Sequence, residues 1–142
     1  MAFIIRALGI GLAATAAYLL MTIGDDGEGG ANIGAGLAVF AVLAVGGFVW
    51  ALLDGLARPS AAAQPIGLGA LLLRWVLASV MAVAVVIAAM EVRSGGDYLS
   101  DFDASSAVFL VLLVLVPSVV GALIGYAARG TGSVAPSHTR SS

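Results

Sequence analysis

Cysteine and lysine are both missing from this 142-residue chain, which holds a single histidine, His138, and charged side chains at only 10% of its positions. Without cysteine there is no disulfide, no thiolate metal site, no lipid-modified cysteine and no thiol nucleophile. A lone histidine in a polar tail supplies no haem-ligand pair, no Ser/His dyad within an apolar segment and no histidine metal cluster. Six arginines against eight acids give a formal net charge of −2, with no basic run of the kind that neutralises nucleic-acid phosphates. No nucleic-acid partner is therefore expected, and the sequence points to no catalytic, cofactor-binding or metal-binding residue. An enzyme is not the expected class.

In place of reactive groups stand four long apolar stretches, and the mean hydropathy is +1.12. Segments of this length would leave a soluble protein with more apolar surface than a small core could bury. About 20 helical residues match the ~30 Å hydrocarbon core of a bilayer. The expected fold is all-α, an integral membrane four-helix bundle of two antiparallel hairpins with short loops. Spans are predicted at residues 2–23, 31–53, 71–90 with a lead-in over 65–70, and 104–128. They form one transmembrane domain over residues 1–128, followed by a polar tail over 129–142 whose Gly, Ser and Pro content predicts disorder.

Each span has its own irregularity. The first could be a signal peptide, with Arg6 as its basic start and Ala14-Thr15-Ala16 as a cleavage site, but the apolar run before that site is short and a retained helix is expected. The third carries Arg74. If the helix crosses from Pro65, Arg74 lies well inside the membrane, at a cost of ~2.5–3.5 kcal/mol on insertion scales. A span beginning near Leu71 places it at the interface beside Trp75, and that reading is preferred. The fourth is uncharged but contains Pro117, which predicts a kink or local widening near Leu113 to Pro117.

An even number of spans puts both termini and the middle connection on one side. That side holds Arg6, Arg58, Arg74, Arg129 and Arg140, and the other only Arg93. The positive-inside rule makes the basic side cytoplasmic, and the use of Ala, Gly, Val and Arg in place of Ile and Lys suggests a GC-rich bacterial genome and hence a bacterial plasma membrane. Two acidic loops then face outward. Asp25, Asp26 and Glu28 in the first, and Glu91, Asp97, Asp101 and Asp103 against Arg93 in the second, leave each with a net charge of −3. Trp50, Trp75 and Tyr126 fall near inner ends, Tyr18 and Tyr98 near outer ones, in keeping with interfacial aromatic belts. The outer acids lack the glycine and glutamate positions of an EF-hand, and a solvated acidic face is expected rather than a metal site.

Two groups of residues are candidates for function. Gly121 and Gly125 form a GxxxG pair within the fourth span; glycines at this spacing let helix backbones approach closely, either within the bundle or against a partner. Arg6, Asp54, Arg58, Arg74 and Arg129 should gather at the inner interface, where they anchor topology and meet anionic lipid headgroups. Asp54 and Arg58, four residues apart, could pair along the helix, or Asp54 could serve as counter-ion to Arg74 in a contact with an anion or partner. No carboxylate lies mid-span, and intramembrane acids usually carry ion coupling. Thr15, Ser79 and Ser118 are expected to bond back to their own helix carbonyls.

These features lead to the expectation of a small non-catalytic polytopic membrane protein. It would act through helix packing, as an accessory subunit of a larger membrane complex or as a homo-oligomer, with the lipid bilayer and other membrane subunits or itself as partners. The alternative is a small transporter, flippase or channel formed by oligomerisation of the bundle.

Overall fold

The computed structural model describes residues 2–23, 33–57 and 67–130. Five helices account for nearly all of these: α1 (Ala2–Met21), α2 (Ile33–Leu56), α3 (Leu68–Ser94), α4 (Tyr98–Asp101) and α5 (Ala104–Gly130). No strand occurs among the described residues. Four of the helices are long and apolar enough to cross a membrane, and the all-α four-helix bundle expected from the sequence is the architecture found.

The helix bounds refine the expected spans. α3 begins at Leu68 and takes in most of the anticipated lead-in, following Gly67, whose extended backbone precedes the first turn. Its 27 residues exceed the about 20 that a bilayer core requires. It ends where Gly95 adopts a left-handed conformation, φ 74°, and donates its backbone N–H to the Glu91 carbonyl. This is the geometry that favours glycine after a helix. α5 runs without interruption through Pro117.

α4 was not expected from the sequence, in which residues 91–103 read as a loop. The two side chains that start it come from the end of α3: Ser94 Oγ accepts the Tyr98 amide at 3.0 Å and Glu91 Oε2 accepts the Leu99 amide at 2.8 Å. Asp103 begins α5 in the same manner, with its Oδ1 accepting the Ser106 amide at 2.6 Å and the Ser105 hydroxyl at 2.8 Å. Short polar side chains at these positions satisfy amides that a new helix leaves open.

Around the bundle the long helices follow the order α1, α2, α5, α3, with α1 and α3 closing the ring. Hairpin alternation makes α2 and α5 parallel, and likewise α1 and α3. The α2–α5 pair is the most extensive contact in the molecule. On α2 the buried face is Ala35, Val39, Leu43, Gly47, Ala51 and Gly55, one residue every fourth position. Residues four apart are surface neighbours, so these form one continuous stripe that winds gradually around α2. The matching face of α5 is Leu110, Val114, Ser118 and Ala122, with Gly121 and Gly125 beside it.

Candidate functional site

One end of the bundle carries the start of α1 and the start of α3 together with the ends of α2 and α5. Arg6, Arg74 and Arg129 lie there, and it is called the basic end. Arg6 donates from its Nη2 to Oδ1 of Asp54 in a salt bridge joining α1 to α2. The two side chains are only 22% and 15% exposed, so the charges neutralise each other at the edge of the apolar region. An unpaired charge there would bear the full cost of desolvation. Arg74 and the Trp75 indole, from α3, also act on the Asp54 carboxylate. Arg74 is itself exposed.

Among the residues expected to form this cluster, Arg6, Asp54 and Arg74 come together. Arg129 goes elsewhere: its Nη1 donates to the Ala57 carbonyl at 3.0 Å, and its guanidinium lies 4.7 Å from the centre of the Tyr126 ring. It thus closes a free carbonyl at the end of α2 from the end of α5, a favourable place for a cation. Arg58 lies outside the described residues, as do Asp25, Asp26, Glu28, His138 and Arg140. The direct partner of Asp54 is Arg6, 48 residues away, a pairing that helical spacing alone could not suggest.

Trp75 departs from the sequence expectation. Its position near a span end suggested an interfacial ring, yet it is only 1% exposed and is the largest fully buried side chain of the core. α3 packs between α1 and α5, and at Trp75 its face points inward. Trp50 is also drawn into helix packing, its ring lying where a Cβ on Gly9 would come within 2.9 Å.

Gly121 and Gly125 face α2. A Cβ on Gly121 would collide with the Phe48 carbonyl oxygen, and one on Gly125 with that of Leu52. Gly55 answers from α2, where a Cβ would lie 2.7 Å from the Ala122 carbonyl and 2.8 Å from Gly125 Cα. Backbone therefore meets backbone along the basic half of this seam. The GxxxG pair is occupied within the chain, which leaves it unavailable as a face for another subunit.

Mid-span polar groups are turned back on their own helices. Thr15 Oγ1 donates to the Gly11 carbonyl at 2.9 Å, Ser79 Oγ to Trp75 at 2.7 Å and Ser118 Oγ to Val114 at 2.7 Å. Such bonds satisfy the hydroxyls without offering them to a pathway.

The opposite, acidic end is built differently. Phe40 of α2 and Phe109 of α5 meet edge to face at 5.5 Å, and Tyr98 stacks on Phe102 at 5.3 Å. The Arg93 guanidinium lies 5.8 Å from the centre of the Tyr18 ring. Burial pushes the Tyr98 phenol above its ordinary pKa, and Tyr18 adds to the shift. The Asp103 carboxyl is held below the usual range, chiefly by the Ser106 amide. Between the helices these rings line a chamber of about 340 Å³, with Gly36, Val39, Val86, Met90, Ser106 and Leu110 completing its wall. The sequence offered only scattered aromatics as a sign of it. Their convergence depends on α4, which brings Tyr98 and Phe102 over the bundle.

No group of three or more His, Cys, Asp or Glu side chains able to hold a metal ion occurs among the described residues. Compared with protein-family models, with curated proteins and with solved structures, the chain finds no match.

Proposed function

We propose that this is a non-catalytic, multi-pass protein of the bacterial plasma membrane, with both termini cytoplasmic, that works through helix packing as a subunit of a larger membrane assembly or as a homo-oligomer. The observation that carries this reading is the way the basic half is closed. Backbone contact between α2 and α5 at Gly55, Gly121 and Gly125 leaves little room between those helices, and Arg6 and Asp54 neutralise each other beside it. The mid-span hydroxyls of Thr15, Ser79 and Ser118 are engaged within the chain. What the bundle offers outward is apolar surface, including Ile5, Leu12, Leu20, Leu53 and Leu73. In a bilayer such surface is covered by lipid or by another helix.

The orientation rests on Arg6, Arg74 and Arg129 at one end against Arg93 at the other. Cysteine labelling is clean in a chain that has none of its own. An impermeant reagent applied to intact cells should modify a cysteine at position 27 and leave one at position 60 untouched; the reverse pattern would contradict the orientation.

Purification in mild detergent followed by mass spectrometry tests the functional reading. The expected result is a larger partner in fixed stoichiometry or a defined homo-oligomer, and a lone monomer would overturn it. A second reading, a transporter or channel assembled from several copies, is favoured by the exposed Arg74 beside Asp54. Reconstituted flux that disappears in Arg74→Ala and Asp54→Ala would establish it in place of the first.

A further inference from the structure

The chamber at the acidic end stands apart from the packing just described. It is lined by side chains from α1, α2, α3, α4 and α5, with Tyr18, Phe40, Met90, Tyr98, Phe102 and Phe109 as the bulky groups. At about 340 Å³ it falls within the range of small-molecule sites. It is more than twice the roughly 150 Å³ of an engineered apolar cavity that takes up benzene.

Two features say what would fill it. Each buried water needs two to four polar partners. A space of about 340 Å³ whose wall offers only the hydroxyls of Tyr18, Tyr98 and Ser106 as polar side-chain groups cannot supply them for the several waters needed to fill it. An empty apolar space loses the dispersion contacts of its lining.

Gly36 makes the opening specific. The buried α2 glycines, Gly47 and Gly55, sit against α5 backbone or side chains, where a Cβ would collide, whereas Gly36 is half-buried. A Cβ on Gly36 would meet nothing within 4 Å, although Gly36 lines the chamber. Here glycine leaves room instead of permitting contact.

We infer that this chamber binds one hydrocarbon chain of a membrane lipid, with the Tyr18, Tyr98 and Ser106 hydroxyls on its wall and the rings of Phe40 and Phe109 against the chain. The site recognises a flexible apolar chain, which a phospholipid acyl group or an isoprenoid carrier can supply. The inference is independent of the proposed function, since a subunit and a transporter could both hold such a chain.

The test uses the full-length protein in liposomes containing either a phospholipid with a diazirine in its acyl chain or a polyprenyl phosphate with a diazirine in its tail. After photolysis, peptide mapping locates the adducts. The expected result is label on Phe40, Met90 and Phe109 above that on the lipid-facing Leu8 and Leu53. In Gly36→Leu and in Ser106→Leu, which fill the chamber from different helices, the chamber label should fall to background while the Leu8 and Leu53 label stays. Label from the phospholipid alone identifies an acyl chain, from the polyprenyl probe alone an isoprenoid, and from both a site selective for the chain rather than the headgroup. Wild-type label no higher in the chamber than on Leu8 and Leu53 would overturn the inference. So would chamber label that persists in either variant when that variant folds.

Discussion

The two ends of the α2–α5 pair are made from the same helices and packed by opposite means. At the basic end, Gly55 meets Gly125 and Gly121 lies against the Phe48 carbonyl, so backbone touches backbone. At the acidic end, Phe40 meets Phe109 across 5.5 Å between ring centres, and Gly36 faces open space. The same residue type thus does two jobs on one helix. Where glycines oppose each other the helices close. Where the rings of Phe40 and Phe109 oppose each other they line a chamber. Charge follows the same division: the basic end pairs Arg6 with Asp54 between helices, whereas at the acidic end Glu91 and Asp103 are used locally to begin α4 and α5.

The largest expected effect is at the closed end. Trp75→Ala removes the largest buried side chain of the core and should destabilise the bundle by about 3–5 kcal/mol in reversible unfolding from mixed micelles. Tyr98→Ala at the open end, where the ring is only partly buried, should cost clearly less. Equal losses would break the contrast between the ends.

Next in size is the ion pair. Arg6→Leu or Asp54→Leu alone strands a partly buried charge and should cost somewhat less than the roughly 3–5 kcal/mol typical of breaking a fully buried pair. The double variant should recover much of the loss, because both charges leave the apolar edge together. A double variant as unstable as the sum of the two singles would show that the residues do not act as a pair.

The smallest effect belongs to Asp103. Its carboxyl titrates lower in the folded protein than in the unfolded chain, because the Ser106 amide hydrogen-bonds the charged form. The stability it contributes is therefore fully present above the unfolded-state pKa and is lost as pH falls through the lowered folded-state value. Amide exchange measured across that acid range should show the first turn of α5 opening earlier in Asp103→Ala than in the wild type at neutral pH. The difference should vanish at the lowest pH. A difference independent of pH would remove the carboxylate as its cause.

Much of this contrast could be read at the closed end and little at the open one. Four apolar runs are long enough to define four spans by themselves, and the GxxxG spacing of Gly121 and Gly125 marks a close approach whatever its partner. Helix membership of Arg6 was equally plain, whereas Asp54 fell just past the predicted end of the second span and proves to lie within α2. Their pairing was not plain, because it depends on which helices become neighbours, and the arginine nearest in sequence, Arg58, offered a simpler partner. Trp75 misled for a related reason. An aromatic residue near a span end fits an interfacial belt, but rotation of α3 within the ring decides whether the indole faces lipid or core, and all-round apolar helices give no amphipathic signal of that rotation. The chamber was least legible, since it requires α4, a single turn started by Glu91 and Ser94 from the preceding helix. Hydrophobic periodicity cannot reveal a turn that short.

One methyl group placed at each end of the α2–α5 seam tests the division most directly. Gly125→Ala and Gly36→Ala add the same atoms to the same helix pair, and their unfolding free energies can be compared under identical conditions. Gly125→Ala should destabilise by about 1–3 kcal/mol, because its Cβ is driven into the Leu52 carbonyl. Gly36→Ala should be neutral or stabilising by up to about 1 kcal/mol, because its Cβ enters free space in a helix that prefers alanine. Similar losses at both positions, or a larger loss at Gly36, would contradict a bundle closed at its basic end and open at its acidic one.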